Sequence, residues 1–452
     1  MKHSAIVSSV ALCLIAGTAW AEGGLLSAGP LFTNGNQIVD ASGHPQRLAC
    51  VGWNGGNSVR PRLSGLNQVS YQTTLSDMVR LGFNCTRVLT SARGVLDNSN
   101  GYLDTLDKVI DYAGSIGLRV IVDIHNDEGG HGTRDNWGTA PVNGLWYDKG
   151  GASDGTDGGG NTGTIGDADF QLAWVNMATR WKDKPAILAY DLINEPHSGL
   201  TTWGGYDGTA DSNTDIRAMY IRVGNAIHAI DPKPLIIAEG VQNYRARAYE
   251  GDLRGVTRWP VTLKQPRKVV YSPHVYPAEV SAVPADYGPS WVERMNSLWG
   301  YLVKENIAPV FIGECGDWLA RPDAQAWAAA FVSYVNGEAS GGSGVHRGPA
   351  GDLVELVELG PQRERGKSPR LRSADGLVRR LAQAPAGGRS QPAILPPVRS
   401  WAHSARRRPK PLTLGRPSGY CYRFDLMMST RVVGAACTEH SGGAGALLDN
   451  GI

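Results

Sequence analysis

Short apolar runs alternate along the chain from residue 47 with stretches in which apolar residues recur every three or four positions. The apolar runs lack polar alternation, which is typical of strands buried on both faces of a parallel sheet. They predict strands at Leu48–Trp53, Asn84–Leu89, Arg119–Ile124, Ile187–Ile193, Leu235–Glu239, Val269–Ser272 and Pro309–Gly313. The periodic stretches predict helices at Tyr71–Leu81, Leu103–Ile116, Phe170–Trp181, Asp215–Ile230, Trp291–Glu305 and Ala324–Asn336.

This repeated order of strand and helix is compatible with two α/β folds, a doubly wound sheet and a (β/α)8 barrel. No G-x-G-x-x-G motif follows the first strand, which argues against a dinucleotide-binding sheet. Polar residues instead cluster just after the strand ends, where barrel enzymes build their active sites. These residues are Asn54, Arg87, His125, Asn194, Glu195, His274 and Glu314. We therefore predict a (β/α)8 TIM barrel, of which seven strands are recognisable.

The N-terminus has the pattern of a secretory signal peptide. A short basic start precedes an apolar stretch from Ala5 to Thr18, and Ala19-Trp20-Ala21 is a small-residue cleavage signal. The alternative is a buried N-terminal helix, but such a helix would end without a cap. We expect residues 1–21 to be removed and the protein to be secreted.

Charge and hydropathy exclude several kinds of partner. The 452 residues carry a formal net charge of +2, and 42% of them are hydrophobic, which is ordinary for a globular protein. A near-zero charge gives no reason to expect nucleic acid as a partner. Beyond residue 21 no apolar run approaches the ~18 residues of a membrane span. We expect a monomer with neither a nucleic-acid nor a membrane partner.

Cysteine usage leaves one question open. Cys50, Cys85 and Cys315 lie in the body of the chain, so at most one disulfide can form there. Cys50 and Cys85 fall on consecutive predicted strands. A bridge between them and two unpaired core cysteines are both compatible with the sequence.

Two glutamates end predicted strands and suggest a reaction. Glu195, in Asn194-Glu195-Pro196, ends the fourth strand, and Glu314 ends the seventh. Glycoside hydrolysis needs two carboxyls beside one bond, one to protonate the leaving oxygen and one to attack or to activate water. The acid must be held neutral and the nucleophile ionised, and Arg87 is a natural partner for the ionised one. Taken singly, each glutamate could equally be a helix cap or a surface ion pair.

Six motifs, in order over about residues 30–340, resemble glycoside hydrolase family 5. They are Arg87-Val-Leu, Asp123-Ile-His125, Leu192-Ile-Asn194-Glu195-Pro196-His197, Glu239-Gly-Val-Gln242-Asn-Tyr244, His274-Val-Tyr276 and Ile312-Gly-Glu314. The resemblance implies a retaining (β/α)8 β-glycanase, similar to secreted bacterial endo-β-1,4-glucanases, that acts on cellulose or related β-glucans without cofactor or metal. A mannanase or a mixed-linkage glucanase of the same family is the alternative.

The resemblance also implies roles for single residues. Glu195 would be the acid/base and Glu314 the nucleophile, about 5 Å apart, so that the anomeric configuration is retained. Asn194 would form a hydrogen bond with the sugar 2-hydroxyl. Arg87 and Tyr276 would hold Glu314 ionised and aimed, while His125 and His274 would contact substrate or order the acid/base. The alternatives are that Arg87 forms a structural ion pair, that both histidines are core residues and that the tyrosine packs at the rim.

Sugar rings stack their C–H faces on aromatic rings, so a glycan cleft needs exposed Trp or Tyr. Trp53 follows the first strand, and Trp146 lies on a predicted loop near a strand end. We expect both to be substrate-binding platforms, with Trp318 as a weaker candidate. The tryptophans of the predicted helices are expected in the core.

The composition changes after Gly342. Residues 343–452 hold 15 Arg, 2 Lys and 10 Pro and carry a net charge of +9, whereas the first 342 residues carry −7. This divides the chain into a signal peptide at 1–21, a barrel domain at 22–342 and an Arg/Pro-rich tail at 343–452. The tail shows no further strand and helix pattern, so the eighth strand is expected to be lost or garbled.

A frameshift accounts for this change. Residues 353–359 read L-V-E-L-V-E-L. In GC-rich codons, the same bases read one position later encode W-W-S-W-W-S-W, which resembles the Trp-rich segment that the family carries at its eighth strand. We interpret the tail as out of frame and disordered, with a basic tail or linker as the alternative. The alternative to an active glucanase is then an open barrel, an inactive product that at most binds glycan.

Overall fold

The computed structural model describes residues 24–129, 144–148, 163–197, 200–204, 213–243, 248–278, 280–281, 283–316 and 322–337, and the backbone of 354–359. The predicted signal peptide, Trp318 and the remainder of the tail lie outside the described residues. No helix within those ranges combines the length and apolar character needed to cross a membrane.

Thirteen strands and eight α-helices are described. The strands are β1 Phe32–Asn34, β2 Gln37–Val39, β3 Ala49–Trp53, β4 Cys85–Ser91, β5 Arg119–Asn126, β6 Ile187–Asp191, β7 Leu235–Glu239, β8 Val241–Asn243, β9 Ala248–Asp252, β10 Val269–Ser272, β11 His274–Val275, β12 Phe311–Cys315 and β13 Val354–Leu359. The helices are α1 Tyr71–Arg80, α2 Ala92–Asp97, α3 Tyr102–Ser115, α4 Asp167–Trp181, α5 Ile216–His228, α6 Pro289–Met295, α7 Tyr301–Lys304 and α8 Pro322–Val335. One π-helical turn at Asn296–Gly300 joins α6 to α7.

The central sheet is a closed parallel barrel. Its strands follow the order β10, β7, β6, β5, β4, β3, β13, β12 and β11. β10 and β11 are two parts of one strand on either side of Pro273, and they pair with β7 and β12 respectively. A parallel bridge between Tyr271 and Val310 adds to the closure. The predicted (β/α)8 TIM barrel is confirmed.

The expectation of a lost eighth strand is wrong. β13 pairs in parallel with β12 on one side and with β3 on the other, where Leu356 is the register partner of Cys50. The segment Val354–Leu359 is rich in Val and Leu, which suit a buried parallel strand. Closure therefore leaves no open sheet edge at this point, and the argument for an open barrel fails. Whether the tail is out of frame stays a prediction.

Side chains on the two faces of the strands enter two separate apolar layers. Alternate residues such as Val120 and Val122 join the layer between strands and outer helices, whereas Ile121 joins an inner layer with Leu31 and Ile38 of the N-terminal hairpin. This period-two alternation is what a strand backbone imposes. The hairpin β1–β2 covers the N-terminal end of the barrel, which leaves the opposite end for the polar residues.

Two buried cations fasten the N-terminal segment to the barrel. Arg119 donates to the carbonyl of Gly29 at 3.2 Å and also to that of Ser27, and Lys268 donates to the carbonyl of Leu31 at 2.7 Å. Cys50 and Cys85, register partners on β3 and β4, form a disulfide. Of the two alternatives left open by the sequence, the structure has the bridge.

Candidate active site

The barrel brings the predicted polar residues to one end. Arg87 and His125 lie in β4 and β5, Glu195 follows β6, His274 begins β11, and Glu314 lies in β12. All five side chains are buried. Because the carboxyl ends of parallel strands meet at one edge of a barrel, residues far apart in sequence converge there.

Glu314 is held as a carboxylate. Arg87 donates from Nη1 to its Oε1 at 2.7 Å, and the Tyr276 hydroxyl donates to its Oε2 at 2.6 Å. The ring nitrogens of His125 and His274 lie 4.0 and 3.8 Å from its oxygens. Burial alone would raise the pKa of Glu314, but His274, Arg87, His125 and the Tyr276 hydrogen bond outweigh it and lower that pKa to about 2. This side chain is therefore ionised at neutral pH.

Glu195 has the opposite environment. Burial raises the pKa of its carboxyl above the usual value, against the lowering effect of His274. His274 contacts its Oε1 through Nδ1 at 2.9 Å. The backbone of Glu195 has φ 45°, a left-handed conformation that few non-glycine residues adopt. Its N–H donates to Oε2 of Glu239 at 2.7 Å.

The two carboxyls are close. Glu195 and Glu314 each have an oxygen within 4.8 Å of the other and of a His274 nitrogen. Retaining glycosidases hold their carboxyl groups about 5–5.5 Å apart, and inverting ones about 6.5–9.5 Å apart, to leave room for a water. The spacing is therefore of the retaining kind.

Arg87 is the centre of a buried carboxylate network. Its Nε donates to Asp191 Oδ2 at 2.9 Å, and its Nη2 donates to Asn194 Oδ1 at 3.0 Å. Nη2 also forms ion pairs with Asp123 at 3.1 Å and Glu239 at 3.2 Å. Buried charges need partners of opposite sign, and these contacts supply them. Because Arg87 has no exposed surface, it cannot itself contact a sugar; it fixes the positions of the acidic side chains around it.

The two histidines each pair with carboxylates. His125 Nδ1 lies 2.7 Å from Asp123 Oδ2, and His274 Nε2 lies 3.1 Å from Glu239 Oε1. Burial would lower the pKa of each ring, but the surrounding carboxylates raise the pKa of His125, mainly through Asp123, and raise that of His274 well above its usual value, mainly through Glu239. Both histidines are therefore placed to carry positive charge at the site.

The expected aromatic platforms need correction. Trp146 is 0% exposed, and its indole N–H donates to Asp167 Oδ1 at 2.6 Å. Trp53 is 2% exposed, and its N–H donates to the carbonyl of Ser64 at 2.9 Å. Neither indole presents a face to a ligand, since both pack in the layer between strands and helices. The position of a tryptophan near a strand end does not reveal which way its ring turns.

Sequence reasoning missed three acidic residues of the network. Asp123, Asp191 and Glu239 are buried and contact Arg87, yet the sequence assigned them no role. A signal was available, because each is the single acid of a strand that is rich in apolar residues. A buried acid must be paired or neutral, so three of them at one barrel end indicate a shared cation.

Comparison with known proteins gives the family. Residues 39–341 match the model of the cellulase family, glycosyl hydrolase family 5. An endoglucanase from Paenibacillus polymyxa is 31% identical over 335 residues, which cover 68% of this chain and 77% of the relative. The major extracellular endoglucanase of Xanthomonas campestris is 27% identical over 342 residues, which cover 69% of this chain and 64% of the relative.

Solved structures agree on the fold. A cellotetraose complex of an endocellulase from Pyrococcus horikoshii superposes with a TM-score of 0.57 at 23% identity, over 73% of this chain and 91% of the other. The family match covers more than half of the chain and includes every site residue described above. The chain is a glycoside hydrolase and belongs to the cellulase family, glycosyl hydrolase family 5.

Proposed function

We propose that this chain is a retaining endo-β-1,4-glucanase that hydrolyses internal bonds of cellulose or related β-glucans by double displacement. The observation that carries the proposal is the pair of buried carboxyls, Glu195 and Glu314, within 4.8 Å of one another and with opposite pKa shifts. The names of the Paenibacillus and Xanthomonas endoglucanases support β-1,4-glucan as the substrate class.

In the first step, the Glu314 carboxylate attacks the anomeric carbon while Glu195 gives its proton to the leaving glycosidic oxygen. The carbon–oxygen bond to the leaving sugar breaks as the bond to Glu314 forms, which gives a glycosyl-enzyme. Burial raises the pKa of Glu195, which suits a proton donor, whereas His274 and Arg87 lower the pKa of Glu314, which suits a nucleophile.

In the second step, Glu195, now ionised, takes a proton from water, and the water oxygen attacks the anomeric carbon and releases Glu314. Two inversions give net retention. The negative charge of Glu314 raises the pKa of Glu195 in the free enzyme. That charge is lost when Glu314 bonds to the sugar, so the pKa of Glu195 falls, and one residue can act first as acid and then as base.

Around this pair we assign supporting roles. Asn194 bonds the sugar 2-hydroxyl, and its amide orientation is fixed because its oxygen accepts from Arg87 at 3.0 Å. Tyr276 is partly exposed, so its hydroxyl can both hold Glu314 and face the substrate. His125 and His274 supply positive charge beside Glu314.

We also propose that the protein is secreted and acts as a monomer, with residues 22–342 and the strand β13 as its catalytic domain. The signal pattern at residues 1–21, the Cys50–Cys85 disulfide and the extracellular Xanthomonas relative support secretion, because disulfides persist in oxidising compartments.

The proposal is tested with soluble cello-oligosaccharides and carboxymethylcellulose. Glu195→Gln and Glu314→Gln should each lower kcat by about 10⁴-fold or more, as expected when a group acting in the transition state is lost. Asp107→Asn is the matched control: Asp107 of the outer helix α3 pairs with Arg180 of α4, so this substitution should leave turnover unchanged. Folded glutamine variants that keep full activity would refute the assignment.

A further inference from the structure

Glu239 contacts the surroundings of both Glu195 and Glu314, although it lies on a different strand from either residue. It ends β7 and is 1% exposed. Its Oε2 accepts the backbone N–H of Glu195 at 2.7 Å, and its Oε1 lies 3.2 Å from Arg87 Nη2 and 3.1 Å from His274 Nε2. One carboxylate thus contacts the acid/base backbone, the cation that holds Glu314, and the imidazole beside both.

The first consequence concerns the backbone of Glu195. A left-handed conformation is strained for a residue with a side chain and persists only when its surroundings restrain it. The Glu239 carboxylate supplies such a restraint through a charged hydrogen bond. The same stretch of chain adds a second contact, since the backbone N–H of Gln242 donates to the carbonyl of Pro196 at 2.7 Å. Glu239 and Gln242 therefore restrain the backbone at Glu195 and at the next residue, Pro196.

The second consequence concerns charge. Nδ1 of His274 faces Glu195 at 2.9 Å and Glu314 at 3.8 Å, whereas Nε2 faces Glu239 at 3.1 Å. Glu239 is the largest of the contributions that raise the pKa of His274. The charged and titratable groups that face Glu239 or His274 are Arg87, Asp123, Asp191, Glu195, Tyr220 and Glu314.

We propose that Glu239 is a positioning residue that fixes the backbone of Glu195 and keeps His274 as an imidazolium between the two catalytic carboxyls. The inference rests on the proposed roles of Glu195 and Glu314. It adds that the acid/base and the nucleophile are coupled through one buried carboxylate outside the reacting pair. Glu239 itself does not touch the substrate and acts through its three contacts.

The experiment uses the full chain labelled with ¹⁵N-histidine. The imidazole signals of His274 are assigned by their absence in His274→Gln and followed from pH 4 to 9 in the wild type, Glu239→Gln and Asp191→Asn. In the wild type both ring nitrogens should stay protonated at pH 7. In Glu239→Gln the midpoint should fall by about one to three pH units, the usual effect of losing a neighbouring opposite charge.

Kinetics separate positioning from a merely structural role. Glu239→Gln should lower kcat roughly 10- to 100-fold, the range for a lost hydrogen bond to a charged group, with KM little changed. Glu239→Ala should lower kcat further than Glu239→Gln does, because glutamine retains an oxygen that can accept the Glu195 N–H. Asp191→Asn is the comparison variant, because Asp191 pairs with Arg87, whereas Glu239 raises the pKa of His274 the most; the His274 midpoint in Asp191→Asn should stay closer to the wild type.

The outcomes are distinguishable. A neutral His274 in the wild type at pH 7, an unchanged midpoint in Glu239→Gln, or wild-type kcat in that folded variant would each overturn the proposal. If Glu239→Ala does not fold, the wild-type titration and the glutamine variant still decide. An inactive Glu314→Gln beside a fully active Glu239→Gln would reject the role of Glu239 alone, whereas an active Glu314→Gln would reject the proposed function.

Discussion

Tyr276→Phe isolates one hydrogen bond to the proposed nucleophile. The substitution removes only the hydroxyl that donates to Glu314 Oε2 at 2.6 Å, and the tyrosine is partly exposed, so the phenylalanine ring fits without new contacts. A hydrogen bond to a charged group contributes about 1.5–3 kcal/mol. Since one pKa unit corresponds to about 1.4 kcal/mol, its loss should raise the pKa of Glu314 by about one to two units.

The sign of the effect follows from which form is stabilised. The hydroxyl donates to the carboxylate, so it favours the ionised form, and the pKa of Glu314 is held at about 2 with its help. Without it, Glu314 takes up a proton at higher pH, and the active ionised form is lost sooner as the pH falls. Arg87 and the two histidines remain, so Glu314 stays ionised at neutral pH.

The assay is the pH dependence of kcat/KM on a soluble cello-oligosaccharide, which reports the free enzyme's ionisations. The acid limb of Tyr276→Phe should move to higher pH by about one to two units. Tyr301→Phe is the matched control, because the Tyr301 hydroxyl donates to the carbonyl of Leu253 at 2.7 Å, away from the carboxyl pair. Superimposable acid limbs for wild type and Tyr276→Phe would refute the reasoning.

Three further predictions address stability, the corrected tryptophan and cofactor independence. Replacing Cys50 and Cys85 by alanine should cost about 4 kcal/mol in the free energy of unfolding, because the bridge closes a loop of 35 residues, and denaturant unfolding measures it; an unchanged midpoint would contradict this. Trp146→Ala should lower the free energy of unfolding by about 3–5 kcal/mol, because the indole is buried, and should leave KM unchanged in the folded protein. A raised KM at unchanged stability would instead show that Trp146 binds substrate. Hydrolysis should survive exhaustive treatment with a metal chelator, because every proposed step uses side chains alone, and a loss restored by added metal would contradict the mechanism.

Much of the barrel was predictable because its strands are buried on both faces. Leu235–Glu239 and Val269–Ser272 were predicted with the bounds that the structure has. Strands of this kind form uninterrupted Val, Ile and Leu runs, which the sequence displays directly. The hairpins β1–β2 and β8–β9 were not predicted, because β1, β2 and β8 have three residues each, which are too few to show a period.

The eighth strand and the buried network mark the limits of sequence reasoning. Val354–Leu359 lies in a segment of different composition, and only its pairing with β3 and β12 identifies it as part of the barrel. Glu195 and Glu314 were predicted from motifs, but Glu239 acts through contacts to residues on three other strands or loops. Such contacts depend on the closed barrel, so no local pattern reveals them.

The stereochemistry of the first product tests the central claim most directly. Proton NMR of a cello-oligosaccharide digest, recorded before the product mutarotates, distinguishes the two anomers at the new reducing end. The spacing of Glu195 and Glu314 within 4.8 Å predicts that the β-anomer appears first and the α-anomer grows in later. The α-anomer appearing first, or no hydrolysis by the folded protein, would contradict the account.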